Sequence, residues 1–191
     1  MTTIGFIRHG STEWNRLGRL QGQLDTDLTD EGREQARLLG LRLADENWDG
    51  IICSDLKRAS ETAQIISALS GIPLLASDKR LRERKYGLAE GTTVTEREER
   101  WGVDWKLLDL DQETDSELWA RWMDLETEIL ERYPNQKVLL ISHGGFIVQV
   151  LRVLQLNQEE FLQNTSLTLL LREGDQWKLE LYNCLLHLQP S

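Results

Sequence analysis

Two cysteines in 191 residues, Cys53 and Cys184, leave no material for a disulfide framework or a CxxC metal site. Both sit in apolar, strand-like runs and are expected to be buried free thiols in a reducing compartment. No apolar run reaches the ~20 residues that a membrane-spanning helix needs, so no membrane association is expected. The first strand reads from near Thr3, which leaves no room for a signal peptide, and a cytoplasmic protein is expected. Proline is scarce, with three in all, and there are no repeats, low-complexity tracts or Pro/Gly-rich linkers. At this length a single domain, 1–191, with a full core is expected. Basic residues are few: 22 Lys and Arg against 32 Asp and Glu, a net charge of −10. That deficit argues against non-specific nucleic-acid binding, which needs a basic footprint. A small anionic substrate is still compatible, because local charge can oppose the net field.

The charges that are present are segregated. "DKRLRERK" (78–85) holds five bases and two acids, whereas Asp109 to Glu131 holds nine acids and one base, Arg121. The acidic run reads as a solvated face. Along the chain, strand and helix patterns alternate. "TIGFIR" (3–8), "GIICS" (50–54), "PLLAS" (73–77) and "KVLLIS" (137–142) read as strands. Helices are expected over 29–46, with Thr29 or Asp30 as N-cap, over 56–70, over about 115–132, and from Gly144 or Gly145 onward. "SLTLLLRE" and "WKLELYN", separated by Gly174-Asp175, read as a terminal hairpin. Alternating βα units imply a three-layer α/β/α arrangement with a mostly parallel sheet. Residues 86–114 show no periodicity.

In such a sheet, ligands bind beyond the carboxyl ends of the strands. The polar residues of this chain gather there. The first strand ends in Arg8-His9-Gly10 and the second in Ser54-Asp55, with Arg58 in the first turn of the following helix. The third strand leads into Leu81-Arg82-Glu83, and the fourth ends in Ser142-His143-Gly144-Gly145. Glycine after each histidine suggests close backbone approach to a ligand, and a helix starting at Gly144 offers amides to an anion. Arg58 at a helix start, where the macrodipole disfavours a cation, also points to a local anion; Asp55 and Glu61 offer a structural alternative. Arg8 and Arg58 would repel a metal dication and no third ligand is evident, so an anion site is favoured over a metal site. His187, beside apolar residues in the tail, takes a structural reading.

"RHGSTEWN", "GRLQGQLDTDLTDEGREQA", "SDLKRASETA", "LRE" and "SHGG", in that order between residues 8 and 145, resemble the histidine phosphatase superfamily, phosphoglycerate-mutase-like branch. The resemblance agrees with the α/β/α sandwich and implies roles position by position. His9 would be the nucleophile, forming a phosphohistidine. Arg8, Arg58 and His143 would hold phosphoryl oxygens. Glu83 would be general acid for the leaving alcohol and then base for water, with Glu90 as its rival. Asn15 would contact the phosphoryl group, Gln21 and Gly22 would lie near it, and the Gly144 amide would add a donor. Phosphoryl transfer relies on positioning and cationic clamps, which arginines supply without a metal or cofactor. Arginines around His9 favour the neutral imidazole that attack requires; whether His143 is protonated is left open.

The chain is shorter than the mutases of the superfamily and has "LQG" (20–22) where they continue with "GW". Hydrolysis of a small phosphorylated metabolite is therefore expected, with phosphoglycerate mutase chemistry and a non-catalytic phospholigand-binding module as alternatives. Residues 86–122 are expected to form a lid over the pocket. Where relatives carry "GES", this chain has Thr114-Asp115-Ser116, which reads as a helix N-cap. Trp122 falls on an apolar helix stripe, and one of Trp101, Trp105 and Trp119 is expected to meet the organic part of the substrate. "SLTLLLRE" is either a covered inner strand or an edge that pairs two copies in a homodimer.

Overall fold

The structure, a computed structural model, describes residues 1–156 and 158–189. A six-stranded sheet runs through it in the order β3-β2-β4-β1-β5-β6. The strands are β1 (Thr3–Arg8), β2 (Gly50–Cys53), β3 (Leu74–Ser77), β4 (Lys137–Ser142), β5 (Leu167–Glu173) and β6 (Gln176–Cys184). β1 to β4 are mutually parallel, and β5 is antiparallel to both β1 and β6. The apolar "SLTLLLRE" run is thus an inner strand between β1 and β6, and the edges are β3 and β6. Glu173 faces Gln176 across a two-residue turn in which Gly174 takes φ 59°, as the hairpin reading required.

Side chains alternate across the strands, so each face has its own core. Ile4, Phe6, Val138 and Leu140 pack with Leu118, Trp122, Leu125 and Ile129 of α5 (Asp115–Arg132) and with Phe146, Ile147 and Val150 of α6 (Gly144–Val153). Ile7, Leu139 and Ile141 pack on the other face with Leu39 and Leu43 of α2 (Asp30–Leu43) and Ala59, Ala63 and Ile66 of α3 (Lys57–Ser70). Three layers result, as the alternating pattern predicts. α2 is shorter than its pattern at the C-terminal end and starts from Thr29, whose side chain accepts from the Gly32 amide.

Two helices have no counterpart in the sequence reading. α1 (Glu13–Arg16) is a single turn closed by a capping box between Thr12 and Asn15. α4 (Val94–Trp101) lies in the segment without periodicity. Its sequence VTEREERW is mostly charged and shows no apolar stripe, so its start is marked only by the capping box of Thr93 and Glu96. Around α4, Ala89, Trp105 and Leu110 form a small core of their own against Leu20, Tyr86 and Trp101.

The charge runs also differ from expectation. The acidic run is not simply a solvated face, because it folds against the basic run. Arg80 pairs with Asp124 and Glu128, Arg84 with Asp115, and Lys85 with Asp111.

Trp122 fills the centre of the α5–α6 layer, fully buried, with ring centroids 5.4 Å from Phe6 and 6.3 Å from Phe146. Trp122→Ala is expected to lower the unfolding free energy by about 3–5 kcal/mol, read from urea denaturation at neutral pH.

Candidate active site

β1 and β4 pair in register, with Arg8 opposite Ser142. The His9 amide continues the ladder by donating to the Ser142 carbonyl at 3.0 Å, and the Ser54 amide donates to the Ile141 carbonyl at 2.8 Å. The ends of β1, β4 and β2 are thereby stitched side by side. The His9 and His143 rings lie 5.2 Å apart as a result.

Gly10 turns the chain away from β1. Its amide donates to Thr62 Oγ1 at 3.0 Å. A Cβ at Gly10 would sit 2.5 Å from the Gly32 carbonyl oxygen in the first turn of α2. The glycine of "RHG" is therefore required by backbone packing onto α2, not by approach to a ligand. That turn fixes the His9 ring. His9 Nδ1 lies 2.7 Å from the Gly10 carbonyl oxygen. A carbonyl can only accept, so Nδ1 carries the proton and Nε2 keeps its lone pair. Arg58 Nε donates to that Nε2 at 3.3 Å.

Arg58 is 1% exposed. Its other donors go to the Leu24 and Gly22 carbonyls at 2.9 and 2.8 Å. The structural alternative of a carboxylate partner fails: Asp55 is taken by Arg82 and Glu61 by Arg33. Arg8 is likewise buried, donates from Nη1 to the Leu162 carbonyl, and leaves Nε without a partner. Burial pushes both guanidiniums down to about 10, so both stay cationic at neutral pH. The site therefore holds two positive charges with no carboxylate hydrogen-bonded to them; the Glu83 carboxylate acts on both, and Asp25 and Glu90 act on Arg58 as well.

Glu83 is brought in by two anchors on its neighbours. Ser142 Oγ donates to the Leu81 carbonyl at 2.7 Å, and Arg82 forks onto Asp55 at 2.7 and 2.6 Å. The Glu83 carboxylate then accepts from the amides of Arg84, Gly145 and Phe146 at 2.8, 3.0 and 2.8 Å. A Cβ at Gly145 would lie 2.7 Å from Glu83 Oε1, so the second glycine of "SHGG" makes room for this carboxylate. Arg80, Arg82, Arg84 and Lys85 of "DKRLRERK" are engaged with other acids. Glu90 is a scaffold residue: it accepts from the Tyr86 and Gln23 amides at 2.9 and 3.1 Å and packs against Gly22.

A cavity of about 710 Å3 opens here, lined among others by Arg8, His9, Asn15, Arg58, Glu83 and Gly144. Gln21 and Gly22 line it too. Asn15 Oδ1 is used by the Thr12 amide and hydroxyl at 3.1 and 3.0 Å. His143 is placed differently: it is fully buried and does not line the cavity. Its Nε2 is 2.9 Å from Ser54 Oγ, and its Nδ1 has no partner. Trp101, Trp105 and Trp119 are also absent from the lining, contrary to expectation, and Trp122 is in the core as its stripe implied; Trp14 is the tryptophan in the wall. Trp105 is buried in the small core around α4, and Trp119 packs on the main one. Thr114 caps α5 and Asp115 pairs with Arg84.

Residues 4–185 match the family model described as histidine phosphatase superfamily (branch 1). The chain belongs to this superfamily. It is 35% identical over 192 aligned positions to the "uncharacterized phosphatase PhoE" of Bacillus subtilis (strain 168), covering 98% of this chain and 97% of the relative. It is 29% identical over 199 positions to the "metal-independent phosphoserine phosphatase" of Arabidopsis thaliana, covering 98% and 84%. Among solved structures, Bacillus stearothermophilus YhfR superposes with a TM-score of 0.90 at 27% identity, covering 99% of this chain and 100% of the other. The chain is thus an enzyme of the histidine phosphatase superfamily, and no helix among its described residues is long and apolar enough to cross a membrane.

This member of the superfamily also uses residues that the sequence reading passed over. The loop after α6 closes onto β1: Asn164 Nδ2 donates to the His9 carbonyl at 2.8 Å and the Thr165 amide to the Arg8 carbonyl at 2.9 Å. Thr165 holds φ 58°, unusual for a β-branched residue, with its hydroxyl 3.0 Å from His187 Nε2. His187 is thus structural, supporting the loop that grips Arg8 and His9. Only "NT" followed by an apolar strand marked this loop, and that signal is too common to be read.

The histidines of this superfamily site make its stability pH-dependent. Burial first, then the charge of Arg58, holds His9 and His143 well below the usual imidazole range, and burial pushes His187 down to about 4. All three are neutral in the folded chain near neutral pH but titrate at about 6.5 when unfolded. Below that pH the unfolded state binds more protons, so stability is complete above pH ~6.5 and falls as pH drops toward the folded values, by up to about 1.4 kcal/mol per pH unit per histidine. Urea midpoints are expected to fall clearly between pH 7.5 and pH 5, and His187→Gln is expected to reduce the slope.

Proposed function

We propose that this enzyme hydrolyses small phosphate monoesters, without a metal, through a phosphohistidine at His9 Nε2. The observation that carries this reading is the hydrogen bond of His9 Nδ1 to the Gly10 carbonyl. It pins the proton on the far nitrogen and turns an unprotonated Nε2 toward Arg58. Phosphatase names among the relatives support the reaction class, and the metal-independent relative supports the absence of a metal step. Among the described residues no three His, Cys, Asp or Glu side chains converge as a ligand set.

The reaction follows from the donors. A phosphoryl group entering the cavity meets Arg58 and Arg8, whose charges have no carboxylate hydrogen-bonded to them. Guanidinium forks match phosphoryl oxygens, and the transition state spreads charge over those oxygens. The Gly144 amide at the start of α6 and the Asn15 side-chain amide would add donors. His9 Nε2 forms a bond to phosphorus as the bond to the ester oxygen breaks. Glu83 would give a proton to the leaving alkoxide. Water then attacks the phosphohistidine, and the Glu83 carboxylate takes its proton, which releases inorganic phosphate and restores His9. His143, neutral and behind His9, would hold the His9 ring and the β2 end through Ser54.

Residues 86–114 would act as the cap. They supply Tyr86, Arg97 and Lys106 to the cavity wall and are tied to the site by the Leu20 amide, which donates to the Thr92 carbonyl at 2.9 Å. Residues 115–122, expected as part of the lid, lie in α5, where Leu118 and Trp122 belong to the main core.

Hydrolysis of p-nitrophenyl phosphate is expected to persist in excess EDTA and to fall by at least about 10³-fold in His9→Ala. With an alkyl phosphate, whose leaving group needs protonation, Glu83→Gln is expected to slow turnover about 10²–10⁴-fold. Glu90→Gln, at a scaffold position, is expected to act mainly on stability. Slowing by the Glu90 change alone would overturn the assignment of Glu83.

A further inference from the structure

The His9 ring is held at both nitrogens, by the Gly10 carbonyl at Nδ1 and by Arg58 Nε at Nε2. These two holders come from different parts of the fold. Gly10 follows β1, whereas Arg58 lies in the first turn of α3. For Nε2 to meet a phosphoryl group gripped by Arg58, the turn and the helix must keep a fixed spacing. The sheet sets that spacing only indirectly, because β4 stands between β1 and the strand that leads into α3.

One hydroxyl spans the gap directly. Thr62, fully buried in α3, donates from Oγ1 to the Arg58 carbonyl at 2.6 Å and accepts from the Gly10 amide at 3.0 Å. Chemistry fixes both directions, since a carbonyl only accepts and an amide N–H only donates. The first bond is common for threonine inside a helix, and it slightly weakens the helix rather than supporting it. Thr62 also stands among the apolar Ala59, Ala63 and Ile66 that α3 turns to the core, where helix packing alone asks for no hydroxyl. The second bond supplies the reason. The polar groups of the two peptides around Gly10 are all engaged: the His9 carbonyl by Asn164 Nδ2 at 2.8 Å, the Gly10 amide by Thr62, the Gly10 carbonyl by His9 Nδ1, and the Ser11 amide by Gln35 Oε1 at 3.0 Å. Asn164 comes from the loop after α6 and Gln35 from α2. Of these holders, Thr62 alone belongs to the helix that carries Arg58.

We propose that Thr62 is a positioning residue for phosphoryl transfer: by tying Gly10 to Arg58, its hydroxyl sets the His9 imidazole against the Arg58 guanidinium at the spacing that attack requires. Thr62 does not line the cavity and acts through both neighbours. The proposal rests on the phosphohistidine reading of His9. Without the hydroxyl, the buried Gly10 amide loses its partner. Gly10 is wedged against the Gly32 carbonyl and cannot retreat toward α2, so its two peptides rotate in place and the Gly10 carbonyl leaves Nδ1. A displacement of about 1 Å between reacting groups costs on the order of 10²-fold in rate. Substrate affinity changes less, because Arg8 and the Gly144 amide stay in the cavity wall.

Two comparisons isolate the hydroxyl. The unmodified enzyme and Thr62→Val share a shape, and Thr62→Ser and Thr62→Ala differ by one oxygen. With p-nitrophenyl phosphate, at a temperature where circular dichroism shows each protein folded, Thr62→Val and Thr62→Ala are expected to have kcat at least about tenfold below their hydroxyl-bearing counterparts, with KM changed less than about threefold. Thr62→Ser also loses a buried methyl group and is expected to lower the urea midpoint while keeping most of the rate, so stability and turnover separate. Values of kcat within about twofold in both comparisons, or equal slowing in Thr62→Ser and Thr62→Ala, would overturn the proposal. If Thr62→Val does not fold, the Ser–Ala comparison decides alone. The phosphohistidine reading fails separately, if the unmodified enzyme leaves p-nitrophenyl phosphate intact. Nitrogen NMR of the His9 ring then decides the bridge without turnover. A ring protonated at Nδ1 is expected in the unmodified protein and Thr62→Ser, and a mixture of tautomers in Thr62→Val and Thr62→Ala; the same ring shifts throughout would overturn it.

Discussion

The parallel pairing of β1 with β4, in register from Thr3–Lys137 to Arg8–Ser142, is the constraint on which the site depends. Because the two strands end level, their next residues, His9 and His143, are neighbours by construction. β2 ends on the other side of β4, so Ser54 and the start of α3, with Arg58, arrive at the same edge. The hydrogen bonds of a parallel ladder are non-negotiable inside a core, where an unpaired backbone group is expensive. A one-residue slip would also turn every inward side chain outward. The register that buries Phe6, Leu140 and Ile141 is therefore the same register that sets the geometry of the candidate site.

The electrostatics follow from that placement. Two guanidiniums at buried strand and helix ends have carbonyl partners and no carboxylate paired to them. In the neighbouring basic run, by contrast, Arg80, Arg82, Arg84 and Lys85 are paired with acids distant in sequence. The contrast fits a site in which the buried guanidiniums are kept free of carboxylate hydrogen bonds for an anion. The same positive field, together with burial, keeps His9 and His143 neutral. Stability at low pH is given up in exchange for a His9 ring that is unprotonated at neutral pH, as the proposed nucleophile has to be.

Much of this was legible in the sequence because strand ends announce themselves: apolar runs stop at "RHG", "SD" and "SHGG". The layers, the hairpin and the members of the site could be read from such boundaries. Other features depend on contacts that no local pattern encodes. α4 is polar on nearly every position, so its helix is fixed by a capping box and by Trp105, not by periodicity. Gly10 was read as making room for a ligand, but it makes room for Gly32, on a helix some twenty residues away. The tryptophans of the cap proved to be its core, and the wall position fell to Trp14. Asn164 and Thr165 grip His9 and Arg8 from the far end of the chain, where sequence carries no mark of proximity.

The central claim is that His9 Nε2, freed by the bond of Nδ1 to the Gly10 carbonyl, is the atom that accepts the phosphoryl group. The most direct measurement is a rapid-quench single turnover with a radiolabelled phosphate ester, followed by peptide mapping and phosphorus NMR of the trapped protein. The account predicts an acid-labile, alkali-stable phosphate on Nε2 of His9, formed and lost fast enough to lie on the turnover path. Phosphate on Nδ1, on Glu83 or on His143, or turnover with no phosphoenzyme at all, would contradict it.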